Sequence, residues 1–132
     1  MNIAFVAHDG KKKLMENLCT AYRHILTKHT LFSTGTTGQA IEDATNLTVT
    51  KYLAGHLGGV EQLCAQLALN ELDVIIFLRD SSFGMGYDSE HYSLVRLADM
   101  HNIPLATNLA TAEALLLSLD RGDLNWRLNM RR

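Results

Sequence analysis

Proline is nearly absent from this chain: Pro104 is the only one in 132 residues. It stands at the start of a strand-like run, where its missing N–H does least harm, and no linker or internal repeat interrupts the sequence. Cysteine is almost as scarce. Cys19 and Cys64 have no metal-site spacing, fit a reducing compartment, and sit in apolar helical patterns that predict buried, inert thiols. An excess of one charge is also lacking, since 12 Lys and Arg stand against 14 Asp and Glu for a net charge of −2. That near-neutrality argues against bulk binding of nucleic acid or anionic membrane. No apolar run approaches the roughly 20 residues that cross a bilayer. "MNIAFVAHD" lacks the basic opening of a signal peptide, so the chain is expected to be cytoplasmic. No cluster of His, Cys and carboxylates shows ligand spacing, so neither a metal nor a cofactor is expected. Both "GK[ST]" and "GxGxxG" are missing, which removes the common nucleotide fingerprints.

What is present is a globular composition, 47% hydrophobic and 20% charged, of a size that predicts one domain over residues 1–132. Short apolar runs alternate with helical patterns along the chain. The runs at 2–8, 29–34, 47–53, 73–80 and 103–108 read as strands. Residues 12–29, 37–45, 61–71, 90–102 and 110–120 read as helices, and the tail from Arg121 carries no assignment. "DVIIFLRD" is apolar on both faces, as a central parallel strand should be. This alternation predicts an α/β fold of three layers, a doubly wound five-stranded parallel sheet. Ligands in such folds bind outside the carboxyl ends of the strands.

Four of the five strand ends carry polar or glycine-rich residues: "HDGKK", "STGTTG", "AGHLGG" and "RDSSFGMGYDSE". Each alone is also what a turn uses. Together they would converge on one rim. In "STGTTG", glycines let backbone N–H groups face an anion, the helix start adds a favourable dipole, and threonine hydroxyls donate to phosphate oxygens. The rival reading, a threonine N-cap, uses one hydroxyl and leaves the others unexplained. Lys12 supplies a compensating charge from the neighbouring rim. Asp9 and Asp80 end the first and fourth strands; facing one pocket, they would push each other's pKa values apart into acid and base roles. Alternatively Asp80 opens a turn and Asp9 caps a helix. His8, beside Asp9, is a candidate proton carrier or phosphate donor.

These residues together resemble the methylglyoxal synthase family: "VAHD" with Lys12, "TGTTG", "GxxGG" followed by a Gln, "DVIIFLRD" and "RLADMHNIPLATNLATA", in order over residues 3–114. The resemblance implies a five-stranded parallel sheet, commonly assembled as a homohexamer. It also implies elimination of phosphate from dihydroxyacetone phosphate to give methylglyoxal. By resemblance His8, Lys12, Thr34, Gly35, Thr36, Thr37 and Gly55 correspond to ligand-binding positions, and Asp9 and Asp80 to active-site carboxylates.

The chain departs from the family where protons move. The family's proton-abstracting aspartate falls on Val60, with Glu61 next to it, and an expected histidine falls on Tyr87. An expected aspartate becomes Glu90, a hydroxyl beside Gly55 becomes Ala54, and a proline becomes His56. Three readings follow: a lyase with Asp9, Asp80, Glu90 or Glu61 as its carboxylates, a non-catalytic or regulatory module binding phosphate or a phosphosugar, or a different enzyme on phosphorylated substrates. In the tail, Arg127, Arg131 and Arg132 read as a solvated basic end, the alternative being reach into a neighbouring subunit's site.

Overall fold

The computed structural model describes residues 1–82 and 89–130, with the side chains of His56 and of residues 89–91 outside that description. Five strands, β1 (Asn2–Ala7), β2 (Thr30–Ser33), β3 (Val49–Lys51), β4 (Val74–Leu78) and β5 (Leu105–Ala106), form one sheet. Their order is β3-β2-β1-β4-β5 and every pairing is parallel. Helices α1 (Lys12–Ala21), α2 (Arg23–Leu26), α3 (Gly35–Thr45), α4 (Gly59–Ala68), α5 (Ser89–Met100), α6 (Leu109–Asp120) and α7 (Arg127–Met130) complete the fold.

Alternation along the strands builds two cores. Ile3, Phe5, Val74, Ile76 and Leu78 pack with Met15, Leu18, Ile41 and Leu116 from α1, α3 and α6. On the opposite face Ala4, Val6, Ile75 and Phe77 meet Leu63, Leu67, Leu94 and Ala98 from α4 and α5. β4 is buried at all five positions because both of its faces are covered. The chain winds outward from β1 in one direction and from β4 in the other, and these two strands pair directly. The doubly wound five-stranded fold expected from the sequence is the fold observed.

Where the elements depart from expectation, competing hydrogen bonds explain most of the difference. The third strand spans three residues rather than seven. Val49 N–H is taken by the Glu42 carboxylate, Leu47 N–H by the Thr45 hydroxyl and Leu53 N–H by Gln62 Oε1. The fifth strand shrinks to two residues between Pro104 and Asn108, whose side chain caps α6 by accepting Thr111 N–H at 3.1 Å. The expected helix over 12–29 turns at Tyr22, and the offset buries both Ile25 and Leu26.

The tail brings the clearest correction. Arg127 is 3% exposed, not solvated. Its Nε donates to Asp73 Oδ1 at 3.3 Å, its Nη2 to Asn70 Oδ1 and the Leu72 carbonyl, and its Nη1 to the Asn102 carbonyl. Asn70 and Asn102 hold the left-handed turns that follow α4 and α5. One guanidinium thus ties two helix ends to the start of β4.

Candidate functional site

The carboxyl ends of β1, β2, β3 and β4 carry the predicted loops. After β2, α3 starts at Gly35, two residues earlier than the sequence pattern suggests, so Thr36 and Thr37 fall in its first turn. First-turn N–H groups have no intrahelical acceptor, which makes this end receptive to an anion. Thr34 occupies the N-cap position in extended conformation, yet its side chain makes no capping bond. The N-cap reading of the threonines therefore fails. Thr36 Oγ1 accepts from Lys12 Nζ at 2.9 Å. Thr37 is 1% exposed. Among the described residues, its hydroxyl and that of Tyr52 are the buried side-chain polar atoms without a hydrogen-bond partner. Such a group costs free energy until something satisfies it.

The loop after β3 is stitched to this turn. Gly35 N–H donates to the Leu53 carbonyl at 3.2 Å, and a Cβ on Gly35 would stand 3.0 Å from Tyr52 O and 3.2 Å from Ala54 N. Only glycine lets the two backbones meet so closely. Residues 54–59 then turn sharply: the Ala54 carbonyl accepts from both Leu57 N–H and Gly59 N–H, and a Cβ on Gly59 would fall on the Leu53 carbonyl oxygen. Gln62 holds the loop from behind through Leu53 N–H at 2.8 Å. Gly55 and Val60 face each other, with Val60 Cγ2 3.8 Å from where a Cβ on Gly55 would be. Val60 is 1% exposed and packs at the start of α4, whereas Glu61 on the next position is open to solvent.

His8 is buried at the end of β1, its ring edge-on to Phe77 at 5.3 Å between centroids. Asp80 N–H donates to His8 Nδ1 at 2.8 Å. In the neutral ring this leaves Nε2 to carry the proton, so the main chain of residue 80 sets the tautomer. The Asp80 carboxylate accepts from Ser82 Oγ at 2.7 Å and Ser82 N–H at 3.0 Å. These two bonds, with the charge of Lys11, hold its pKa below the usual 3.8. Asp80 is a carboxylate at neutral pH.

Asp9 follows β1 on the same rim of the sheet as Asp80. Its own carboxylate is 97% exposed and pairs with Lys12 Nζ at 2.8 Å. Tyr87 and the Glu90 side chain lie outside the described residues. The two thiols differ: Cys19 is buried, which pushes its pKa up to about 12, while Cys64 is half-buried.

The structure therefore brings together His8 with Asp80, Lys12 with Asp9 and Thr36, and Gly35 with the backbone of Leu53 and Ala54. Ser82 and Lys11 are the residues that sequence reasoning missed, while Gln62 entered it only as the Gln that follows "GxxGG" and not as the anchor of the loop. A serine two positions after an aspartate is a common turn signal that could have marked Ser82.

Comparison with known proteins places this arrangement. The model of the MGS-like domain family matches residues 15–107. Methylglyoxal synthase of Caldicellulosiruptor saccharolyticus is 54% identical over 127 residues, covering 96% of this chain and 90% of its own. That of Alkaliphilus metalliredigens is also 54% identical, covering 96% of this chain and 95% of its own. The crystal structure of methylglyoxal synthase from Elizabethkingia anophelis NUHP1 superposes with a TM-score of 0.76 at 34% identity, over 87% of this chain and 76% of that one. With the sheet order, the glycine-threonine turn and the extent of these matches in agreement, the chain belongs to the MGS-like domain family, alongside the methylglyoxal synthases.

Proposed function

We propose that this protein is a methylglyoxal synthase-type lyase that eliminates phosphate from dihydroxyacetone phosphate, the whole of residues 1–132 acting as one domain. Relatives named methylglyoxal synthase at 54% identity over nearly the full chain support the reaction class. The single observation that carries the chemistry is the coupling of Asp80 to His8: one residue offers an ionised carboxylate and, through its own N–H, fixes the histidine tautomer.

In this reading the substrate phosphate sits at the start of α3, against the N–H groups of Thr36 and Thr37, the hydroxyls of Thr34, Thr36 and Thr37, and the Lys12 ammonium. Lining by Gly35, Ala54 and Gly55 lets backbone approach the ligand without side chains in the way. His8 Nε2–H donates to the carbonyl oxygen, where negative charge develops. Asp80 takes a C–H proton from the carbon next to that carbonyl, forming the enediolate. The electron pair then expels phosphate from the carbon on the other side while the hydroxyl proton of the deprotonated carbon passes to the departing phosphate, and the resulting enol moves its O–H proton to the terminal carbon to give methylglyoxal. Glu61 and Glu90 are the alternative carboxylates, and Tyr87 a neutral donor to the same ligand. The family resemblance supports a homohexamer. The absence of any membrane-length apolar helix among the described residues is compatible with a cytoplasmic location.

A second reading is favoured by Val60, whose buried methyl groups face Gly55 where a carboxylate would serve as base. It is a phosphate-binding module without turnover. Purified protein incubated with dihydroxyacetone phosphate decides between them. Equimolar methylglyoxal and phosphate above the uncatalysed rate, lost in Asp80→Asn, establishes the lyase. Stabilisation by ligand without product establishes the binding module.

A further inference from the structure

Lys12 is the cation of the phosphate site, yet its ammonium already has an anion. Nζ lies 2.8 Å from Asp9 Oδ1 and 2.9 Å from Thr36 Oγ1. The two partners differ in kind. Thr36 belongs to the first turn of α3, while the Asp9 carboxylate is 97% exposed and stands one short 3-10 turn before Lys12. An ion pair this exposed contributes little to stability, because water screens it and both side chains lose freedom in forming it. Its consequence lies elsewhere. Any phosphate entering the turn must displace Asp9 from Lys12 or accept a carboxylate beside its own negative charge.

Resting on the phosphate-site reading above, we propose that Asp9 is a built-in counter-ion, competing with ligand phosphate for Lys12, rather than a second proton-transferring carboxylate. It weakens retention of inorganic phosphate and so favours product release. Its exposure suits this task, since the carboxylate already faces solvent. Asp80 has the opposite character, tied by two bonds to Ser82.

The test is the affinity for inorganic phosphate, by calorimetric titration of the full chain and of Asp9→Asn, Asp9→Glu, Lys12→Met and the double variant Asp9→Asn/Lys12→Met. At low ionic strength Asp9→Asn should bind phosphate about two- to fivefold more tightly than the unaltered chain, the range an exposed pair can supply. Asp9→Glu should restore weaker binding. The gain should shrink in the Lys12→Met background and at high salt, where exposed charges are screened. Unchanged or weaker binding by Asp9→Asn overturns the proposal, as does a hundredfold loss of turnover at constant phosphate affinity, which would make Asp9 catalytic. Failure of the unaltered chain to bind phosphate overturns the site reading itself, a distinct result from failure of the Asp9 comparison.

Discussion

Thr37→Val should make the free protein more stable and its phosphate binding weaker. The Thr37 hydroxyl is buried and without a partner in the structure, and a valine has nearly the same shape. Leaving a buried polar group unsatisfied costs about 1–3 kcal/mol, so removing it should recover about 1 kcal/mol, the low end of that range. With an unfolding entropy of about 2.1 cal/mol/K per residue over 132 residues, each kcal/mol corresponds to about 4 °C in Tm. The free variant should therefore melt about 4 °C higher. A hydrogen bond to a charged phosphate contributes about 1.5–3 kcal/mol, so phosphate should bind roughly 10- to 100-fold more weakly. Differential scanning calorimetry with and without saturating phosphate reads both effects in one series. A lower Tm for the free variant would show that the hydroxyl is already satisfied in the empty protein. An unchanged phosphate affinity would show that it never meets the ligand. Either result refutes the argument.

Arg127→Met should cost about 3–5 kcal/mol in urea unfolding, because it removes the guanidinium from the buried Asp73 carboxylate, which keeps the Asn2 N–H but no longer has this opposite charge. Phosphate affinity of the folded fraction should hold, since Arg127 acts at the far end of β4; a loss under 1 kcal/mol would refute the clamp. Ser82→Ala should raise the Asp80 pKa toward 3.8, as it removes the largest cause of the depression. A depressed carboxylate delivers its benefit above its unfolded pKa and loses it as pH falls through the folded value, so the acid limb of turnover should move upward in pH; a fixed limb would exclude Asp80 as the base. Val60→Asp should raise turnover toward the 10²–10⁴-fold that a positioned base supplies, at some cost in stability from burying a carboxylate. Equal turnover in steady-state kinetics would mean that no base acts from this position.

The sheet was legible because each of its signals is local: "VIIFL" can only be a strand covered on both faces, and the spacing of Leu63 and Leu67 with Val60 gives α4 its buried stripe. The glycine-threonine turn was legible as a strand-to-helix junction from its own residue types, and as a candidate site only beside the other strand-end loops, since glycine and threonine also serve plain turns and caps. Strand lengths at the edge were not, because Glu42 and Gln62 capture backbone N–H groups seven and nine residues away, which no periodicity reveals, and Thr45 takes the Leu47 N–H just before the strand. Arg127 was misread because a basic residue five positions before the end of a chain is usually solvated. Its burial depends on Asp73, Asn70 and Asn102, more than 20 residues away in each case. Asp9 and Asp80 looked alike in sequence, both following a strand, and only their partners separate them.

The bond from Asp80 N–H to His8 Nδ1 has a consequence for how this site can change over time. Main-chain groups are not encoded by the choice of residue, so every substitution at position 80 except proline keeps the donor that sets the histidine. The carboxylate, by contrast, is lost by almost any of them. Position 80 therefore carries two duties of unequal heritability, one nearly immune to mutation and one fragile. A descendant of this protein could shed its acid–base chemistry in a single step and still present an oriented imidazole to whatever ligand it binds.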